Sequence, residues 1–302
     1  MGGKTIVLAG ATGNLGGRIA HAILEQGGEV RALVRRSSAS EKTNALRKQG
    51  VTVAEVDFSN ADELEKACTG GACVISALSG LRDVIVDLQA LLLKAAVKAG
   101  VPRFIPSDFS IDFTKLPPGT NRNLDLRREF HDHLGKASIA VTSILNGMFA
   151  HLLTGEAPVI LYKLKRVVYW GDADQLLDFT TINNTAEYAA AAALDPSTPR
   201  FLRIAGDQIS ARGLAKVAGE VGGKKFKLFR AGGLKRYAKL ITFARFVSPQ
   251  KKAVYPPWQG MQYMHNMFSG LVKLEPLDND RYPGMRWETV KDVLEAARHS
   301  VF

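Results

Sequence analysis

The chain has 302 residues, of which 46% are hydrophobic and 23% charged, a composition that suits a globular protein with a substantial core and excludes a disordered or collagen-like one. A membrane-spanning helix needs roughly 18 apolar residues, and none is in prospect: LQALLLKAAVKAG is interrupted by Lys94 and Lys98, and AEYAAAAAL is too short. The formal net charge is +11, and Cys68 and Cys73 are spaced for neither a CxxC pair nor a zinc knuckle, so the expectations are a cytoplasmic protein with reduced thiols, no metal and an affinity for anions.

The apolar, partly β-branched run Thr5–Ala9 has the length of a buried strand, and Leu15, Ile19 and Ile23 recur every four residues as one face of a helix. Gly10, Gly13, Gly16 and Gly17 lie at this junction. At such a junction Gly10 permits a tight turn, Gly13 lets a phosphate approach the backbone, and Gly16 lets the helix pack closely. The first helical N–H groups face the loop with about half a positive charge from the helix dipole behind them, so the expected guest is the pyrophosphate of a dinucleotide. A second strand, Glu29–Val34, runs into Arg35 and Arg36. A carboxylate at this strand end would suit the ribose 2′-OH of NAD, whereas a guanidinium suits the 2′-phosphate of NADP. A charge-assisted pair worth about 1.5–3 kcal/mol gives NADP a roughly ten- to hundredfold advantage.

A third strand over 51–58 ends at Asp57 and Phe58, followed by a helix over 61–68, a fourth strand over 72–80, a long helix over 84–100 and a fifth strand over 101–109. Strands alternating with helices predict a doubly wound parallel α/β sheet with right-handed crossovers. Ligands of such sheets lie beyond the carboxyl ends of the strands, which groups Arg35, Phe58, Leu78, Ser79, Ser107 and Phe109 with the glycine loop. For Phe58, Leu78 and Phe109, core packing is an equal alternative. A polar turn over 115–123 precedes a helix over 124–134 and a strand over 139–145 that ends at Asn146, with Phe149 close behind. Later elements are shorter, apart from a helix over 185–194, and the stretch from Arg200 to Lys252 holds fourteen Lys or Arg against Asp207 and Glu220. The expected organisation is a dinucleotide-binding domain over 1–150 and a smaller substrate- or partner-binding portion over 151–302, with strands of the latter free to return to the main sheet.

GATGNLG, the strand-end Arg35, VPRFIPSDF and IAVTSILNGMF, in this order and spacing, resemble the NmrA-like and isoflavone reductase-like group of atypical short-chain dehydrogenases. The likeness is clearest over residues 4–150 and returns at RYPGMRWETVKDVL. It implies an NADP-binding Rossmann fold with Gly10, Thr12, Gly13, Asn14, Leu15 and Arg35 on the cofactor and Asn146 and Phe149 near its nicotinamide. The group's reductases are NADPH-dependent enzymes of phenylpropanoid-type or related conjugated molecules, while its NmrA branch senses dinucleotides and regulates protein partners.

The same resemblance implies a lysine in the helix before IAVT, and counting back from Thr142 puts Arg127 there. Arginine stays charged at ordinary pH, so its expected role is an electrostatic clamp on a developing oxyanion. His131, one turn along the same face, is a candidate acid or base, with a surface histidine as the alternative. The YxxxK pair of ordinary short-chain dehydrogenases is missing, since Tyr162 and Tyr282 are followed at that spacing by Arg166 and Arg286. The expected function is NADPH-dependent reduction of a small unsaturated or carbonyl-bearing molecule, with a non-catalytic NADP(H)-sensing regulator as the alternative. Nucleic-acid binding through Lys224, Lys225 and Lys227 has no accompanying nucleic-acid fold in its support.

Overall fold

The computed structural model describes residues 3–38 and 40–302. Two compact units interleave along the chain: Met1–Phe109, Leu126–Ile144 and Thr185–Leu202 form one, and Ser110–Asp125, Leu145–Asn184 and Arg203–Phe302 the other. A single boundary near residue 150 does not divide them, and the second unit is no smaller than the first.

The first unit is built on a six-stranded sheet. In chain order its elements are β1 (Thr5–Ala9), α1 (Asn14–Glu25), β2 (Glu29–Arg35), α2 (Ser40–Lys48), β3 (Thr52–Val56), α3 (Ala61–Cys68), β4 (Cys73–Ser76), α4 (Gln89–Lys98) and β5 (Arg103–Ile105). The helix α5 (Arg122–Leu134) and the strand β6 (Ala140–Val141) follow. The order β3-β2-β1-β4-β5-β6 and the parallel pairing of every neighbour are those of a doubly wound nucleotide-binding sheet. Strands buried on both faces read as continuous apolar runs, and Ile6, Val7, Leu8 and Ala9 are accordingly inaccessible to solvent. Val7, Val74, Phe104, Leu92, Phe130 and Leu134 share one core cluster, with the rings of Phe104 and Phe130 6.3 Å apart. That packing explains the interleaving: Phe130 and Leu134 bring α5 onto the sheet after the chain has visited the other unit.

Three elements differ from expectation. Helix α2 escapes hydrophobic periodicity because it buries only Thr43 and Leu46. The long helix over 84–100 opens with a π-helical stretch, Asp83–Leu88, before α4 begins. The strand over 139–145 is interrupted at Thr142, whose N–H still donates to the Phe104 carbonyl, while that of Ser143 turns to the Arg200 carbonyl. Its second half, β7 (Ser143–Leu145), forms a two-stranded sheet with a later strand, Phe201–Arg203.

The second unit continues with β8 (Met148–Phe149), β9 (Ile160–Leu161), β10 (Arg166–Trp170) and β11 (Leu176–Thr180). Helix α6 (Ile182–Leu194) and β12 (Phe201–Arg203) lie almost wholly in the first unit, and the second resumes with β13 (Asp207–Ser210), α7 (Ala211–Gly222), β14 (Lys227–Gly232), α8 (Leu234–Val247) and α9 (Pro257–Phe268), before α10 (Val290–Ala296) and α11 (Arg298–Val301). Its two small sheets have the orders β14-β10-β9 and β13-β11-β8.

The tightest constraint in the first unit is at Gly16, where a Cβ would lie 2.1 Å from the Gly10 carbonyl oxygen. Gly16→Ala must push α1 off the loop, and we expect chemical denaturation to show a loss of about 1–3 kcal/mol, the usual cost of overpacking. Wild-type stability in that variant would show that α1 can shift freely.

Candidate functional site

The glycine loop sits where the strand order reverses, between β1 and β4. Gly10 has φ +89°, and a Cβ there would lie 2.5 Å from the Ala77 carbonyl oxygen, so this turn demands glycine. Gly13 forms the N-cap of α1, which has neither a side-chain cap nor an acidic residue in its first turn. The N–H groups of the first helical turn have no partner within the helix. A Cβ on Gly13 would meet only the Gly10 oxygen, at 3.2 Å, so its other side is open to a ligand. Thr12 and Leu15 are half-buried beside it, and the side chain of Asn14 accepts a hydrogen bond from Arg18 at 3.0 Å. An uncapped, acid-free helix start with a glycine cradle fits a pyrophosphate.

The two arginines at the end of β2 are not equivalent. Arg36 holds Glu63 at 2.8 Å. Glu63 also accepts the Asp57 N–H, and this hydrogen bond first, with Arg36 helping, holds its carboxyl below the usual range. Arg35 is exposed and is not engaged in this pair.

Beyond the strand ends, Phe58 joins the core with Leu64 and Ala67, and Leu78 packs against the same cluster, so both are accounted for by packing. Phe109 is buried and Ser79 exposed. Ser107 is fixed twice, its hydroxyl donating to the Leu78 carbonyl at 2.5 Å and its N–H to Gln89 Oε1 at 3.1 Å. Gln89 in turn donates to the Ile85 carbonyl at 2.6 Å, which ties the π-helical stretch to the end of β5.

Next to Ser107, Asp108 is almost wholly buried and accepts from His131 Nε2 at 2.7 Å. Burial alone would raise its carboxyl pKa. The charge and hydrogen bond of His131, the Ser143 hydroxyl and the Arg127 charge outweigh that effect and hold it below the ordinary value of 3.8. On the other side of the imidazole, Arg200 Nη2 lies 3.1 Å from Nδ1, and the same guanidinium donates to the Ser143 hydroxyl at 2.7 Å. Arginine only donates, so in this geometry Nδ1 accepts and a proton on Nε2 is directed at Asp108. The ring also stacks on Phe201, 6.0 Å away. His131 is therefore an oriented, mostly buried histidine. Arg127, one turn earlier, is itself buried.

Asp108 and Arg200 carried no signal in the sequence. Arg200 looked like the first charge of a basic surface stretch, yet it is an internal donor.

Asn146 and Phe149 lie in the second unit. Asn146 is fully buried, its N–H donates to the Ser110 carbonyl, and its carbonyl accepts from the Thr180 hydroxyl at 2.7 Å. Its side-chain amide has no hydrogen-bond partner at either nitrogen or oxygen, which is costly unless a ligand completes it. Among the described residues no three His, Cys, Asp or Glu gather to hold a metal, and no helix is long and apolar enough to cross a membrane. Cys68 and Cys73 are free and buried, and burial pushes their thiols up to about 11 and about 12, away from reactivity.

The NmrA-like family matches this sequence over residues 2–245. The chain belongs to the NmrA-like family. This NmrA-like protein is 30% identical over 208 residues to pinoresinol reductase 1 of Arabidopsis thaliana, across 64% of the chain and 65% of that protein. It thus spans just under two thirds of that relative. With the bifunctional pinoresinol-lariciresinol reductase of Forsythia intermedia it shares 26% identity over 322 aligned positions, covering 98% and 99% of the two chains. The solved structure of AtPrR2 with NADP+ and (+)-pinoresinol matches with a TM-score of 0.80 at 21% identity, covering 97% of this chain and 98% of that one. That likeness establishes the shared fold.

Because the Asp108 carboxyl titrates below 3.8 when folded, its contribution to stability is complete above that pH and is lost as the pH falls through the lower folded value. Asp108→Asn breaks a buried pair and should cost about 3–5 kcal/mol at neutral pH, with part of the acid sensitivity removed. Denaturation curves between pH 3 and pH 7 test this; equal acid sensitivity in both proteins would show that Asp108 does not carry it.

Proposed function

We propose that this NmrA-like protein is an NADPH-dependent oxidoreductase that reduces a small, unsaturated or carbonyl-bearing molecule. The observation that carries the reading is the glycine cradle at an uncapped helix start, on the same sheet as the unengaged Arg35. The names of the relatives, pinoresinol and pinoresinol-lariciresinol reductases, support an aromatic small molecule as the substrate class. Two buried free thiols suit the cytoplasm.

In this reading the first turn of α1 and Gly13 hold the pyrophosphate and Arg35 holds the 2′-phosphate. Bound NADPH would supply the hydride. Phe109 and Ser79 line the cofactor side, and Ser107 keeps the strand end in shape through its bonds to Leu78 and Gln89. The unsatisfied Asn146 amide offers one donor side and one acceptor side to a carboxamide, and Phe149 follows it in the chain. Arg127, permanently charged, stabilises negative charge developing on the substrate oxygen but cannot relay a proton. His131 is the group able to exchange one, held by Asp108 in the tautomer with the proton on Nε2.

Arg127 in the place of the reductases' lysine favours a second reading, dinucleotide binding without turnover. The two separate cleanly. Thermal unfolding with NADP, NADPH, NAD and NADH should show stabilisation by the phosphorylated pair, about 2.7 kcal/mol at a hundredfold excess over the dissociation constant, and Arg35→Ala should abolish that preference. NADPH oxidation with a panel of lignans and related enones should then be substrate-dependent and fall by about 10²-fold or more in Arg127→Ala, as when a charge-stabilising donor is lost. Binding without oxidation selects the sensor, and no binding removes both readings.

A further inference from the structure

Between Glu220 and Glu275 the chain contains no acidic residue and eleven Lys or Arg. Helix α8 stands in the middle of this stretch. It buries only Tyr237 and Ile241, with Tyr237 stacked flat on Trp170 at 4.3 Å, so a narrow stripe holds the helix to the second unit. The rest of the helix is unusual for a solvated surface. Leu240 is 42% exposed, Phe243 64%, Phe246 85% and Val247 62%. Positions 240, 243 and 247 stand at helical spacings of three and four and so form one face, which Phe246 extends. Lys235, Arg236 and Lys239, all exposed, lie around the same arc.

Single exposed apolar residues need no explanation, whereas a contiguous group of four, two of them phenylalanines, marks an interaction surface. Its occupant must be apolar where Phe243 and Phe246 point and anionic where the cations reach. A second copy of this chain presents the same basic face and is repelled by it. Nucleic acid would pair with the cations and stack on phenylalanine, yet it offers little to Leu240 and Val247. A bilayer containing anionic lipid meets both demands: the apolar arc enters the boundary between headgroups and acyl chains, and the long cationic side chains extend to the phosphates.

We propose that α8 is a peripheral membrane-binding element, seated in the plane of an anionic lipid surface by Leu240, Phe243, Phe246 and Val247 and attracted to it by Lys235, Arg236 and Lys239. The proposal is independent of the reductase reading, because every residue in it lies outside the proposed dinucleotide and substrate groups. It also differs from a membrane span, since a helix of 14 residues lying flat buries one face only.

The test is flotation of the full-length protein with phosphatidylcholine vesicles and with vesicles containing three parts in ten phosphatidylserine, at low and at high salt. We expect binding to the anionic vesicles alone, weakened by salt. Two variants, Phe243→Ser with Phe246→Ser, and Lys235→Gln with Arg236→Gln and Lys239→Gln, should each reduce partitioning about tenfold or more. Their melting temperatures and NADPH-induced thermal shifts should match the wild type, which separates a lost surface from a misfolded protein. Absence of vesicle binding, equal binding to neutral vesicles, or unchanged binding in both variants would overturn the proposal. So would tighter binding of a single-stranded oligonucleotide than of the vesicles, or a dimer in analytical ultracentrifugation that the phenylalanine variant dissociates, since each would assign the face to another occupant.

Discussion

The contact between the start of α1 and the Gly10 carbonyl fixes what the first unit can do. Without a Cβ on Gly16 the helix comes within reach of the loop, and its first turn lies at the point where the strand order reverses, between β1 and β4. The remaining features follow from that placement. The first turn of α1 carries no acidic residue and no side-chain cap, and a carboxylate there would occupy the place and cancel the partial charge that draws an anion. β2 lies beside β1 in register, Ala9 opposite Leu33, so Arg35, the last residue of β2, and Arg36 emerge on the same side as the loop. Glu63 then engages one of them and leaves the other.

A second arrangement in the same unit works by burial. Asp108, Ser143 and Arg200, with Arg127 and His131 of α5, come from four stretches of chain and form one electrostatic group. A buried carboxylate is costly unless neighbours of opposite charge and hydrogen-bond donors surround it, and here two arginines and an imidazole do so. Such a group is poorly explained as a source of stability, because apolar side chains of equal volume would do as well. Its sharper effect is orientation: with Arg200 on Nδ1 and Asp108 on Nε2, the ring has one tautomer and one direction. A histidine so held can serve a proton transfer only if one of these bonds loosens, which places any catalytic use of His131 in the substrate-bound state.

The parts of this architecture legible in the sequence were those with local signals. β1, the loop and α1 announce themselves through a change of hydrophobic period from strand to helix, and Arg35 through its position at a strand end. The parallel sheet followed from alternation, and the motifs around the glycine loop and the later strands pointed to the NmrA-like family. What stayed hidden had no local signal. Helix α2 has one apolar anchor, Leu46, and so no period to detect. The interleaving of the units depends on Phe130 reaching Phe104 in the core, a contact between elements separated by a visit elsewhere. Asp108 and Arg200 are ninety-two positions apart, and only the return of the chain along β12 makes them neighbours of one imidazole.

The positive charge shows why composition alone misleads. Arg200, Arg203 and Arg212 open the basic stretch, yet Arg200 bonds Ser143 and His131, Arg203 holds the buried Asp112 at 2.9 Å, and Arg212 pairs with Asp174 at 2.7 Å. Arg203 and Arg212 neutralise nearby acids and Arg200 is engaged internally, so the three add little to the outward field. Farther along, Lys224 to Lys252 have no acids in their own stretch to meet, and there the exposed phenylalanines also occur. A surface selected only for solubility gains from spreading cations and hiding aromatics. On α8 both rules are broken together, and the combination restricts the range of occupants to those that are apolar and anionic at once.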